Sequence, residues 1–201
     1  MSSYRVLVEA SRLLRDTIWD VFQNDPAIFP QVVPGMATIV FSNPTETLQN
    51  NANRLSLWLY RIEENEFIKN QPMVRRDGNG DQLNLAYPPL SLDLSYLITP
   101  TTGNPEQDLL LLGRTMQVLY ENSVLVLSNP QEDVQEELKI ILGRISLEEL
   151  TRIWEALNEP YRLSVCYRVR VTQVDSERVL SAPPVSESAR GYGEVPGEEE
   201  A

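Results

Sequence analysis

Leu90-Ser91-Leu92-Asp93-Leu94-Ser95-Tyr96-Leu97-Ile98-Thr99-Pro100 reads as a single strand, and the rest of the chain is organised around it. Leu90, Leu92, Leu94, Tyr96 and Ile98 fall on one side, and Ser91, Asp93, Ser95 and Thr99 on the other. That period of two is expected of a half-buried strand. Pro88-Pro89 opens the run and Pro100 closes it, because proline cannot donate to a sheet ladder. A turn-rich gap over 101–105 leads into an apolar helix over 106–121, with Leu109, Leu112, Met116 and Leu119 at spacings of three and four. A strand and a helix this apolar need partners to cover them.

On the N-terminal side, 3–22 reads as an amphipathic helix with Val6, Ala10, Leu13, Leu14, Thr17, Ile18, Val21 and Phe22 on its apolar stripe. Asn24, Pro26 and Pro30 end it. Residues 36–41 make a short strand between Pro34-Gly35 and Asn43-Pro44. Residues 53–63 make a longer one, with Leu55, Leu57 and Leu59 facing one way and Trp58, Tyr60 and Ile62 the other. Apolar residues on both faces place that strand inside a sheet. Asp77-Gly78-Asn79-Gly80-Asp81 is a turn signal suited to closing a hairpin. It also mimics the start of a calcium loop, but Gln82 stands where the glycine is needed and Pro88 where the bidentate glutamate belongs.

On the C-terminal side, the apolar run Val124 to Leu127 is a short strand or a buried connection. Residues 131–145 fit two templates: Val134, Leu138, Ile141, Leu142 and Ile145 a helix, and Leu138, Ile140 and Leu142 a strand. Ser146-Leu147-Glu148-Glu149 is a capping box opening a helix that carries Leu150, Ile153, Trp154 and Leu157 and stops at Pro160. Residues 161–172 alternate cleanly. Tyr161, Leu163, Val165, Tyr167, Val169 and Val171 form one face; Arg162, Ser164, Cys166, Arg168, Arg170 and Thr172 form the other. The composition then shifts. Residues 176–201 hold two arginines against six acidic residues, with few large apolar side chains, and are expected to be disordered in isolation. The organisation expected is one domain over 1–175 and an acidic tail over 176–201.

With 42% hydrophobic residues among 201, the chain can build a real core. A net charge of −12 argues against nucleic acid as a partner, since phosphate binding needs a basic excess. No apolar run approaches the roughly 18 residues of a membrane span. The opening residues lack the basic, apolar and small-residue regions of a signal peptide. A single cysteine, Cys166, excludes an internal disulfide and fits a reducing compartment.

The chain has no histidine, which removes the commonest general base and the commonest metal ligand. Cys166 has no histidine to activate it as a nucleophile. Glu63-Glu64 and Glu148-Glu149 sit at a strand end and a helix cap, where charge is expected structurally. Gly191-Tyr192-Gly193 with Gly197 lacks the spacing of a phosphate loop. No cofactor or metal is expected. Arg162, Arg168 and Arg170 remain, three cations on alternate sites of an acidic protein. Two readings of them stand: the wet side of an antiparallel sheet, or a protein–protein surface, for which arginine is favoured.

Leu57-Trp58-Leu59-Tyr60-Arg61-Ile62-Glu63-Glu64-Asn65, then Pro88 through Pro100, then Leu111-Leu112-Gly113-Arg114-Thr115-Met116-Gln117 and Ser146-Leu147-Glu148-Glu149-Leu150 form an ordered set. In wording and order it resembles the cap, or tail-terminator, family of extracellular contractile injection systems, phage-tail-like particles such as antifeeding prophage and the Photorhabdus virulence cassette. The resemblance runs from about Val6 to Asp175. It implies an α+β fold of the phage tail-terminator type, a mixed and mainly antiparallel sheet with helices packed on it, and a strand for 131–145. It implies a structural protein without catalysis: a homo-oligomer, a hexameric ring, seated on the inner tube and sheath subunits, stopping their growth, assembled in the bacterial cytoplasm and then part of the particle. Some relatives continue into a larger extension; here the acidic stretch 176–201 follows, and the resemblance gives it no role. A baseplate or tube-adaptor protein of the same particle is the nearest alternative. A histidine-free hydrolase or a small-ligand binding module is the alternative of another class.

Overall fold

This computed structural model describes residues 4–67, 73–77, 83–129, 134–174 and 179–182, which fall into two units. The larger unit, Met1–Gln71 with Pro89–Asp175, holds four helices: α1 (Val6–Phe22), α2 (Pro44–Gln49), α3 (Pro105–Glu121) and α4 (Leu147–Ala156). It also holds a six-stranded sheet. The smaller unit, Pro72–Pro88 with Ser176–Ala201, holds a three-stranded sheet. Numbered along the chain, the strands are β1 (Ile39–Val40), β2 (Leu55–Glu64), β3 (Val74–Asp77), β4 (Leu83–Ala86), β5 (Leu90–Pro100), β6 (Val124–Asn129), β7 (Val134–Leu142), β8 (Val165–Val174) and β9 (Val179–Ala182).

In the larger sheet the order is β1-β2-β5-β8-β7-β6. Only β1 and β2 run parallel; every other pair is antiparallel. This is the mixed, mainly antiparallel α+β architecture expected. β5 is central, with β2 on one side and β8 on the other. Its Leu94, Tyr96 and Ile98 point into the core, where α1 and α3 contribute Ala10, Leu14, Ile18, Phe22, Leu111, Val118 and Leu119. The Ser11 hydroxyl of α1 lies 2.8 Å from the Tyr96 hydroxyl, so the one polar group on that face is satisfied.

The expectation of a half-buried strand does not hold. Ser91, Asp93, Ser95 and Thr99 are buried as well, none above 8% exposed. The second face is covered at one end by α2 and α4, which are joined by a bond from Thr45 Oγ1 to the Leu157 carbonyl. Ser56 of that face donates to the Ser42 carbonyl at 2.7 Å. Asp93 accepts from Asn65 Nδ2 beneath this cover, whereas the Ser91 and Thr99 hydroxyls are buried there without a hydrogen-bond partner.

β2 also departs from simple alternation. Leu59 pairs with Tyr96 and Arg61 with Ser95, leaving Tyr60 unopposed in a β-bulge. Tyr60 and Arg61 therefore both reach the second face, and Ile62, expected beside Trp58, returns to the core side opposite Leu94. A second bulge sets Arg170 and Val171 of β8 against the single residue Asp93.

The ambiguous stretch 131–145 supplies strand β7, and the apolar run before it supplies β6. The strand expected over 36–41 shrinks to two residues, because Met36–Thr38 forms a 3-10 turn. The strand expected over 161–172 starts only at Val165. α2 has no counterpart in the sequence reading. Asn43 caps it, accepting from the Glu46 amide at 2.8 Å, with Pro44 at the first helical position.

In the smaller unit, β3 and β4 pair antiparallel from Val74–Ala86 to Asp77–Leu83, the hairpin the turn signal predicts. The turn residues 78–82 themselves lie outside the described residues. β9 pairs with β4, so four residues of the stretch expected as tail form a strand. Residues 183–201 lie outside the described residues.

Candidate protein-interaction surface

The second face of the large sheet presents a groove made of two neighbouring pockets that share Gly143, Arg144 and Arg168 as lining. One, of ≈ 230 Å³, lies between α4 and the sheet and is lined by Tyr60, Arg61, Ser95, Arg144, Arg152 and Arg168, among others. The other, of ≈ 320 Å³, continues past Gly143, Arg144 and Arg168 to Arg170, Ile141 and Leu142. Register explains the lineup. Arg61, Ser95, Arg168 and Ile141 occupy one rung across β2, β5, β8 and β7. Glu63, Asp93, Arg170 and Lys139 lie along the next, where the β8 bulge sets Arg170 beside Asp93.

Of the three arginines singled out in the sequence, the structure brings two together. Arg168 and Arg170 line the groove; Arg162 is exposed in the segment before β8 and does not line it. Three others were missed. Arg61 arrives through the β2 bulge, Arg144 follows β7, and Arg152 projects from α4. The capping box was legible and places Arg152, but a bulge leaves no mark in an alternating pattern.

The carboxylates nearby are largely engaged. Arg61 pairs with Glu63 at 2.6 Å and Arg152 with Glu148 at 2.6 Å, both on exposed ground where such pairs are weak. Asp93, 8% exposed, accepts from Asn65 Nδ2 at 2.9 Å and faces Arg170 Nε at 3.5 Å. Glu149 accepts from the Ser146 amide, closing the capping box, and that bond holds its carboxyl below the usual carboxylate range. Arg144 and Arg168 have no carboxylate partner among the described residues.

At the groove floor the Tyr60 hydroxyl meets Cys166 Sγ at 3.1 Å. Burial pushes both groups up, so both stay protonated near neutral pH. A protonated thiol beside a protonated phenol is a poor nucleophile. No group of three or more potential metal ligands exists among the described residues, and no helix there is long and apolar enough to cross a membrane. The groove offers guanidinium groups to anionic partners and apolar surface at Ile141.

Among solved structures, the sheath/tube terminator of an extracellular contractile injection system, PVC, in its extended state shares this fold. The match has a TM-score of 0.62 and 20% identity, and covers 94% of this chain and 64% of that one. This chain thus spans somewhat under two thirds of that terminator. The tube-terminating cap of the anti-feeding prophage aligns over 68% of this chain and 48% of its own, at 22% identity and a TM-score of 0.49. No curated protein matches the chain. The sequence profile of the Pvc16 N-terminal domain covers residues 10–188, and the chain belongs to that family.

Proposed function

We propose that the chain is a structural terminator of a contractile injection system: a ring, six-fold in number, that seats on the end of the inner tube and sheath and stops their growth. The observation that carries this reading is the family match across residues 10–188, with a fold shared over 94% of the chain with a sheath/tube terminator. Helical polymers of one subunit keep exposing a fresh end, because a heterologous contact that does not close repeats without limit. A terminator needs one face complementary to that end. The arginine-lined face of β8, with Arg168 and Arg170 and the neighbouring Arg162, is the surface we assign to that contact. In this reading the protein catalyses nothing, assembles in the bacterial cytoplasm and leaves as part of the particle.

The experiment is electron microscopy of the purified chain mixed with growing tube and sheath subunits. Six-fold rings at tube ends and tubes of uniform length are expected. A chain that stays monomeric and leaves tube length unchanged overturns the reading. Binding confined to the baseplate end overturns it in favour of an adaptor.

A further inference from the structure

The groove has a chemical character more specific than a basic patch. Arg144 and Arg168 stand on its shared wall, each without a carboxylate among the described residues. An unpaired guanidinium presents a planar fork that matches a carboxylate in a bidentate fashion. Beside them Ile141, which shares the Arg168 face of the sheet, is 41% exposed. A compact oxyanion would leave this apolar surface wet, whereas a polypeptide with carboxylates and apolar side chains on alternating positions would use both. The two parts of the groove share Gly143, Arg144 and Arg168, and their lining extends from Arg61 to Arg170, which suits an extended segment better than a single ion.

We propose that this groove is a docking site for an acidic, partly apolar segment of a partner protein. Its carboxylates engage Arg144 and Arg168, and its apolar side chains cover Ile141. Charge complementarity is what selects the occupant: Arg61, Arg144, Arg152, Arg168 and Arg170 line this groove against the single lining carboxylate Glu149, on a chain whose net charge is −12. Like carboxylates elsewhere on the chain's surface disfavour an acidic partner at any other place. The inference deepens the terminator reading by naming what this face recognises, but its test needs no tube.

The probe is a fluorescently labelled hexapeptide of alternating glutamate and leucine, compared with its glutamine counterpart by anisotropy on the full chain. The glutamate peptide is expected to bind at least roughly tenfold more tightly than the glutamine one, a difference set by charged hydrogen bonds. Arg168→Gln and Arg144→Gln should each weaken it by roughly tenfold, with unchanged circular dichroism. Arg12→Gln, on exposed α1 surface, should leave it unchanged. Equal binding of the two peptides, or equal loss in Arg12→Gln, overturns the proposal. So does tripolyphosphate binding more tightly than the peptide, which would make the groove a small-oxyanion site. If the peptide binds as expected while tube ends remain uncapped, the terminator reading fails and the docking site stands.

Discussion

Arg168 and Arg170 stand two positions apart on one face of β8, yet they are held differently: Asp93 Oδ2 lies 3.5 Å from Arg170 Nε, while Arg168 has no carboxylate within reach among the described residues. The bulge in β8 causes the difference, since it places Asp93 beside Arg170 alone. One residue is committed to the fold and its neighbour is free for a partner.

Arg170→Gln should therefore destabilise the chain and Arg168→Gln should not. Removing Arg170 leaves Asp93, which is 8% exposed, with only its Asn65 bond. Hydrogen bonds to charged groups are worth about 1.5–3 kcal/mol, but Arg170 is 35% exposed and its contact is not aligned as a hydrogen bond. A loss of about 1 kcal/mol is expected, or about 2–4 °C in Tm for a domain of this size. Arg168→Gln should stay within about 0.5 kcal/mol. Thermal melts of the two variants side by side decide it; equal losses would mean that Asp93 does not depend on Arg170.

Gly143 leaves little room for a side chain where β7 ends against β8. A Cβ there would sit 3.0 Å from Cys166 Sγ and 3.3 Å from the Cys166 carbonyl oxygen. Retreat of the backbone would stretch the bond that the Gly143 amide donates to that same carbonyl at 2.8 Å. Gly143→Ala is expected to cost about 1–3 kcal/mol as overpacking. The double variant Gly143→Ala/Cys166→Ala should cost less than the sum of the two single changes, because the clash goes with the sulfur. Strict additivity in denaturant titrations would remove Cys166 as the cause.

Tyr96 predicts how stability falls in alkali. Burial pushes its phenol up to about 12, partly offset by the Ser11 hydroxyl. In the unfolded chain the same phenol ionises near its ordinary value of 10.0. Its contribution is fully present below pH 10, and it is lost as pH rises toward 12, where the unfolded state sheds the proton first. Tyr96→Phe should cost about 1 kcal/mol at neutral pH through the lost hydrogen bond. It should also flatten the decline above pH 10. An unchanged alkaline slope, measured by urea titration at stepped pH, would assign the decline to other groups.

Truncations should separate the smaller unit's strand from the residues after it. Deleting 183–201 removes a stretch too poor in apolar side chains to build a core and should leave Tm unchanged. Deleting 176–201 also removes β9 and leaves β3 and β4 as a two-stranded ribbon, which is marginal in water. Amides of β4 should then exchange faster, as read by hydrogen–deuterium exchange. A drop of several degrees with the shorter deletion would show that 183–201 packs on folded structure.

The order of elements was legible because most of them announce themselves by period or cap. β5 is bracketed by prolines, and the Ser146 capping box is formed as written, with the Glu149 amide 3.2 Å from Ser146 Oγ. What escaped depends on a neighbour. Ser95 and Thr99 look like a wet face because their polarity is local and their cover comes from elsewhere in the chain. Val179–Ala182 looks like tail because four residues carry no pattern, and only β4 makes them a strand. Pro44 reads equally well as the end of a strand or the first residue of a helix, and Asn43 settles the matter only once its side chain is seen on the Glu46 amide. At the arginine face, periodicity gave Arg168 and Arg170 their shared side. It could not give Arg61, whose side depends on the bulge, or Arg144, which lies past the strand end.

The unopposed Tyr60 has a consequence for how the chain tolerates changes of length. Elsewhere in β2 a one-residue deletion would slip the strand by half a pleat and exchange its two faces. At Tyr60 the same deletion would bring Leu59 and Arg61 into direct succession, opposite Tyr96 and Ser95, which they already face. Both halves of the strand would keep their sides, and the ladder would become regular. The groove would lose one aromatic ring and Cys166 its hydroxyl neighbour, while the core would be unaware of the missing residue. A shorter β2 at this position is compatible with the same fold; a shorter β2 anywhere else is not.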